Sequence, residues 1–334
     1  MNETLFVGAT PGLELALAEE LDALGFAGEP SSGGVTLEAP AGSYRFINLW
    51  SRLASRVLLR VGEVSSVEAL RRLPLGGFAR DFEIDAFGEQ AERWGNALPS
   101  KQGGVKLLLR GVKGRCQVSV DTSGELLHFR GYRQEVGRAP MRETLAAGLL
   151  QLAKWQPGEP LWDVMCGSGT ILIEAAERAA GLAPGRNRPF AFESFASHDD
   201  AAWRALPRAR AAVPTELLGS DLNAGALGVA RRNAKRAGVF EALRLERLDA
   251  TKLTRRGERG LVVANLPYGK RVGERDALGR LYAELGASLR RACSGWYFAF
   301  LLQHGAEHLG LEIAERHAVS NGGLDCEVVL GQLD

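Results

Sequence analysis

The sequence predicts a doubly wound α/β sheet finished by an antiparallel hairpin and preceded by a smaller α+β module. Three observations predict it. From residue 161 onward, apolar strand-like runs at 161–165, 216–220, 243–248, 260–265 and 295–302 alternate with helical runs, the pattern of a parallel sheet with crossover helices. The chain then shows residues 318–320, the turn Asn321-Gly322-Gly323 and residues 324–330; Asn-Gly between apolar runs is a strong hairpin signal. Before residue 130, short strands and helices mix. At 334 residues the chain suits two or three domains, with expected boundaries at 1–62, 63–130, a linker at 131–140, and 141–334.

Taken in order, residues 4–9 read as a strand. Thr10 is a good helix cap with Pro11 at the first helical position, and Leu13, Leu17, Leu21 and Leu24 recur at helical spacing until Gly25. A strand at 35–38, a helix at 44–53 and a strand at 55–63 complete a β-α-β-α-β unit. One strand is expected at 81–86, and two more at 105–110 and 117–121. Residues 140–155 read as a helix that stops at Trp155-Gln-Pro-Gly-Glu-Pro. Residues 183–214 form a long insertion rich in Arg, Pro and aromatic residues, either a lid beside the substrate or a surface elaboration.

Composition bounds the function classes. With 46% hydrophobic and 24% charged residues and a net charge of +1, the chain is not a polycation, so nucleic-acid contact must come from a local patch. The run Lys101, Lys106, Arg110, Lys113 and Arg115 contains no acid. It reads either as an RNA phosphate-contacting face or as a solvated hairpin. Cys116, Cys166, Cys293 and Cys326 are scattered and form neither a CxxC pair nor a disulfide framework. No signal-like start and no run of about 18 apolar residues occurs. A cytoplasmic protein with no membrane partner is expected.

Two tips carry the chemistry, LWDVMCGSGT at 161–170 and VVANLPYG at 262–269. Parallel strands would bring both to the carboxyl edge of one sheet, where such folds bind ligands. Gly167 and Gly169 allow close backbone approach beside Cys166 and Ser168, before a helix that starts near Thr170. A dinucleotide site would want a third glycine at the position of Leu172 and an acid about 20 residues on. The next strand-end acid is Asp221, so an adenosyl cofactor without phosphates fits better. Asp163 would serve its methionyl amine, Asp221 its ribose and Asp249 its adenine, although each acid alone could be a helix cap. The closing hairpin likewise marks the methyl-transferring variant of the doubly wound fold.

In Asn265-Leu266-Pro267-Tyr268, the Asn265 oxygen and the Leu266 carbonyl could each accept an N–H of an exocyclic amine, aiming its lone pair at a sulfonium methyl. Pro267 would fix that carbonyl, and Tyr268 would stack on the extruded base. No metal is needed. His304-Gly-Ala-Glu307-His308 matches a zinc-peptidase pattern, but Gly305 weakens the helix it needs. Cys166 reads as a packing residue rather than a nucleophile.

The chain resembles the bacterial THUMP-domain RNA methyltransferases that modify guanosine N2, especially the large-subunit ribosomal RNA branch. The resemblance rests on Gly12-Leu13-Glu14 with LAEELDALGF, INLWSRLASRVLL, VDTSGELLHFRGYR, APMRETLAAGLL, DVMCGSGTILIEAA, LAPGRNRPF with FESF and HDDAAW, GSDLN and NLPYG. It implies a class I Rossmann-like methyltransferase sheet behind a ferredoxin-like domain (1–62) and a THUMP domain (63–130). It also implies S-adenosylmethionine as donor, an RNA partner, ribosomal or transfer, and Asn265 to Tyr268 as the catalytic tetrad. The stretch around Arg142, Glu143 and Thr144 would flank the cofactor. Two departures stand out: Leu266 replaces the usual proline, and AERWGNALPSKQGG stands where the family has a basic helix. Competing readings are adenine methylation in DNA and a non-catalytic RNA-binding or ribosome-assembly factor.

Overall fold

The structure, a computed structural model, describes residues 2–134, 141–268 and 272–334; most of the expected linker at 131–140 lies outside the described residues. The first half carries β1 (Asn2–Gly8), α1 (Glu14–Ala23), β2 (Glu29–Ser31), β3 (Gly34–Pro40), α2 (Ser43–Trp50), β4 (Arg56–Val64), α3 (Val67–Arg71), β5 (Phe82–Phe87), α4 (Glu89–Gly95), β6 (Val105–Val112) and β7 (Arg115–Asp121). Then come α5 (Glu143–Leu152), β8 (Leu161–Asp163), α6 (Thr170–Ala179), α7 (Asp200–Ala205), β9 (Leu217–Asp221), α8 (Ala224–Ala237) and β10 (Leu243–Arg247). The last elements are β11 (Leu261–Asn265), α9 (Val272–Ala292), β12 (Tyr297–Leu302), β13 (Glu315–Asn321) and β14 (Leu324–Gln332). They form two compact units: Met1–Ala9, Leu17–Leu127 and Gly185–Arg208 in the first, and Thr10–Ala16, His128–Pro184 and Ala209–Asp334 in the second.

The first unit is built on one seven-stranded sheet in the order β2-β3-β1-β4-β7-β6-β5. Its pairs are antiparallel except β5 with β6. Strands from residues 1–62 and 63–130 therefore share one sheet, joined where β4 pairs with β7. Alternation drives it: Leu5 and Val7 of β1, and Leu107 and Leu109 of β6, point to the core. Two short helices were not expected from sequence. Ser66 caps α3 by accepting from the Ala69 N–H, and α4 occupies the AERWGN stretch with acids, Glu89 and Glu92, in its first turn. The 183–214 insertion resolves differently from either expectation. Its Phe190, Phe192, Phe195 and Trp203 are buried, and Phe192 and Phe195 meet Tyr44 at centroid distances of 5.5 and 6.3 Å. Residues 185–208 of it pack as core of the first unit, neither lid nor decoration.

The second unit has the strand order β10-β9-β8-β11-β12-β14-β13. The first five strands are parallel, and β14 runs antiparallel between β12 and β13. Both faces are covered, which is why LVVAN and YFAFLL are continuously apolar. Val263 and Ala299 join Leu145, Leu149, Leu172 and Ile173 on one side; Val262, Ala264, Phe298 and Phe300 join Leu285 and Leu289 on the other. The order reverses between β8 and β11, so their carboxyl ends flank a crevice.

Residues 10–16 belong to this unit and do not start the helix as expected. Gly12 takes φ +91°, and a Cβ there would lie 1.9 Å from the Ala318 carbonyl oxygen. The Ser320 N–H donates to the Pro11 carbonyl at 3.2 Å, and α1 begins only at Glu14. Leu13 is fully buried, seated against Gly148 of α5.

Candidate active site

Past Asp163 the chain turns through Gly167 (φ +52°) and Gly169 (φ +83°) into α6. Both angles favour glycine. A Cβ at Gly169 would stand 3.0 Å from Ala230 Cβ of α8, whereas one at Gly167 would enter open space. Asp221, ending the neighbouring strand β9, accepts from the Gly167 N–H at 2.9 Å and the Asn223 N–H at 2.8 Å. One carboxylate thus ties the glycine turn to the next strand. The turn borders a cleft of about 210 Å³ whose lining includes Asp163, Gly167, Ser168, Asp221, Asn265 and Pro267. A larger cleft of about 430 Å³ opens at the opposite edge, beside Leu261 and Tyr297 at the amino ends of β11 and β12. It holds none of the convergent acids, and the smaller cleft is the candidate.

Charge is unusually arranged in that cleft. Asp163 is 1% exposed and accepts a long 3.3 Å bond from the Met165 N–H, its one hydrogen bond among the described residues. Burial, helped by the charge of Asp221, pushes its carboxyl up to about 8. No described cation forms an ion pair with it. Burial and the same two acids hold the Cys166 thiol well above its ordinary range, so it is a protonated packing group. Asp249 goes the other way: the Thr251 hydroxyl and N–H, at 2.7 and 3.0 Å, hold it low, and it caps a turn outside the cleft lining.

Asn265 is the last residue of β11, directly beside Leu301 of β12. Leu266 donates its N–H to the Leu301 carbonyl (2.9 Å) and buries its side chain completely among Val262, Ala264 and Phe300. The Tyr282 hydroxyl of α9 donates to the Pro267 carbonyl at 2.8 Å. The Tyr268 hydroxyl donates to Asn265 Oδ1 at 3.1 Å and accepts from Asn321 Nδ2 at 3.0 Å. Burial raises both tyrosines above their ordinary range.

Of the residues expected at the cofactor, Asp163, Cys166, Gly167, Ser168, Asp221 and Asn265 line the cleft, with Gly169 at the cap of α6. Thr144 is buried, its hydroxyl 3.5 Å from that of Thr10, and does not line it. Met141, Met165, Thr170 and Ile171 line it and were not anticipated; only the place of Met141 inside the APMRET run could have suggested it. The His304–His308 stretch holds a 3₁₀ turn, Ala306–Leu309, instead of the helix that a zinc motif needs.

The basic run lies in the first unit, on β6, β7 and their flanks. Structure adds acids that its sequence lacks. Lys101 pairs with Asp81 at 2.8 Å, Lys106 lies 3.4 Å from Asp85 and 3.6 Å from Glu83, and Arg115 meets Glu63 at 2.9 Å. Arg110 and Lys113 have no carboxylate partner among the described residues.

Residues 130–325 match the family model for the RMKL-like methyltransferase domain. The chain belongs to this family. Within RMKL-like methyltransferases, residues 4–58 further match the RlmL ferredoxin-like domain. The chain is 36% identical, over 98% of its own length and 52% of the relative's, to the ribosomal RNA large subunit methyltransferase K/L of Chromohalobacter salexigens. It thus spans about half the length of that relative. A possible methylase from Clostridium difficile 630 superposes with a TM-score of 0.91 at 28% identity, covering 100% of this chain and 99% of that one. SMU.472, solved in complex with SAH, does so at 0.87 and 25%, covering 100% and 98%. The expected α/β methyltransferase fold and ferredoxin-like start are therefore both present.

Proposed function

We propose that this RMKL-like methyltransferase transfers a methyl group from S-adenosylmethionine to the exocyclic N2 amine of a guanosine in structured RNA, with large-subunit ribosomal RNA as the substrate. The observation that carries the reading is one cleft at the switch point of a parallel sheet. It joins a buried acid that has no cationic partner among the described residues, a glycine turn and the Asn265–Pro267 corner. Asp163 suits a cationic amine, because a positive ligand relieves its buried charge. Gly167 leaves room that any side chain would fill, and Asp221 keeps second lone pairs for hydroxyl donors. The structural relative that carries SAH supports this donor.

When bound, S-adenosylmethionine supplies a sulfonium-activated methyl: its C–S bond breaks as the N–C bond forms, the electron pair stays on sulfur as a thioether, and the amine releases one proton to water. The chain supplies orientation. Asn265 Oδ1 and the Leu266 carbonyl accept the two N–H groups and draw the amine toward tetrahedral geometry. Burial of the Leu266 side chain explains why leucine serves where the family has proline: the position acts through its backbone. Tyr268 stacks on the extruded base. We assign RNA contact to Lys101, Lys106, Arg110, Lys113 and Arg115. We also assign a ferredoxin-like domain to 1–62, a THUMP domain to 63–130 and the catalytic domain to 141–334. Among the described residues no helix is long and apolar enough to cross a membrane.

The test is methyl transfer from labelled S-adenosylmethionine to separate pools of ribosomal RNA, transfer RNA and DNA, followed by nucleoside mass spectrometry. N2-methylguanosine in ribosomal RNA, abolished by Asn265→Ala while RNA binding persists, is the expected result. Label only in transfer RNA would move the substrate, and label only in DNA adenine would move the chemistry. RNA binding without turnover would leave a non-catalytic factor.

A further inference from the structure

We infer that Tyr282, on α9, is a positioning residue that fixes the Leu266 carbonyl and the Tyr268 ring relative to one another before a substrate arrives. The inference rests on the methyl-transfer reading above. Tyr282 is 2% exposed and sits in the apolar cluster of Leu266, Leu285, Leu289 and Phe300. A Cβ on Gly305 would stand 3.6 Å from its ring. Carbon neighbours of this kind ask only for a phenylalanine. The hydroxyl instead donates to the Pro267 carbonyl at 2.8 Å, across 15 residues of chain. Burial first, and the Tyr268 phenol second, push this hydroxyl above its ordinary range, so it keeps the proton that makes the bond through neutral and mildly alkaline pH.

What the bond holds follows from the backbone on either side of it. Sheet and core anchor the Leu266 end of the corner: its N–H donates to the Leu301 carbonyl at 2.9 Å, and its side chain is fully buried. Between the Leu266 carbonyl and the peptide that carries Tyr268, the soft torsions are the two at Pro267. Its ring locks φ, which leaves ψ. The Pro267 carbonyl turns with ψ, so a donor on α9 that grips this oxygen removes the remaining rotation. Acceptor and stacking ring are then held at one mutual angle. A clamped base requires this, because the ring face has to meet the base plane while the carbonyl meets an N–H lying in that plane. Without the grip, Tyr268 would rely on the bonds of its own hydroxyl, to Asn265 and Asn321, about which the ring can tilt. Tyr282 is not in the cleft lining and acts through Pro267.

The deciding comparison is Tyr282→Phe against Leu289→Val in the full chain. Phenylalanine keeps the ring and removes the grip, whereas valine at 289 thins the same cluster and leaves the grip. Steady-state methyl transfer to RNA should show kcat lowered roughly tenfold in Tyr282→Phe, one hydrogen-bond-sized loss. KM for RNA and SAH affinity should stay within about twofold, and Leu289→Val should keep kcat within about twofold of the parent. Tyr282→Phe with the parent's kcat and a lower melting temperature would overturn the inference, since the hydroxyl would then only satisfy the core. An equal loss of kcat in Leu289→Val would overturn it as well. A second readout needs no turnover. In protein labelled with fluorotyrosine, the fluorine resonance of Tyr268, identified by its loss in Tyr268→Phe, should broaden or split in Tyr282→Phe and stay single in Leu289→Val. A sharp single line in both would sink the idea. If the line splits but the parent methylates no nucleic acid, the proposed function fails while the grip on the corner stands.

Discussion

A carboxyl kept protonated at neutral pH inside a cleft is a local instability that a cation can relieve. With its folded pKa raised to about 8 from an ordinary 3.8, Asp163 binds its proton more tightly in the folded than in the unfolded state. Its contribution is fully present below the ordinary value and is lost as pH rises toward 8. Thermal melts of the ligand-free protein should therefore decline between pH 5 and 8, and Asp163→Asn should flatten the decline. The flattening is partial because Glu143, pushed up to about 7 by burial, acts with the same sign. Calorimetry with SAH should show affinity rising through pH 8, a dependence that Asp163→Asn removes. At Leu266 the expectation separates stability from chemistry. Leu266→Ala should cost about 2–4 kcal/mol in urea unfolding, with kcat of the folded enzyme changed only severalfold. The tips were legible at this scale because Asp163, Gly167, Gly169, Asp221 and Asn265 are close to strand ends that periodicity reveals. Met141, Tyr282 and Asn321 were not, because each reaches the site by a long-range approach that no local spacing encodes.

At the scale of elements, the β6–β7 hairpin shows what local reading can and cannot supply. Its strands are plain from Leu107, Leu109 and Val118. The acids that neutralise much of its charge are on β4 and on or just before β5, brought in by pairing, so the run looked more basic than it is. Lys113 stands apart. It occupies the turn with φ +46°, where glycine or asparagine would be easier by roughly 1 kcal/mol. With Arg110, it carries charge that no described carboxylate cancels. Filter binding across a salt series should therefore show that Arg110→Ala with Lys113→Ala lowers the slope of log K against log salt by about 1.5–2. The pair Lys101→Ala with Arg115→Ala should lower it by less. Equal slopes would take this hairpin out of the RNA interface. The strand-helix alternation after Leu161 and the Asn-Gly hairpin were legible for the opposite reason: both are local patterns with strict periods.

For the molecule as a whole, neither compact unit is a single stretch of chain. A fragment starting at residue 141 would lack Thr10–Ala16, leaving Gly148 and the hairpin edge without Leu13, Gly12 and Pro11. Such a fragment should melt well below the full chain and bind an apolar dye. Gly12→Ala reproduces part of that loss inside the intact protein, since its Cβ has no room beside Ala318; a drop of at least 2 kcal/mol is expected. The bond from Ser320 to Pro11 also imposes a schedule. The segment it holds leaves the ribosome about 300 residues ahead of its partners on β13. At roughly 5–20 residues per second, residues 10–16 wait on the order of 15–60 s for the strand they pack against. A ribosome stalled short of β13 would thus hold a chain whose residues 10–16 have no seat, and the second unit can close only once β13 has emerged.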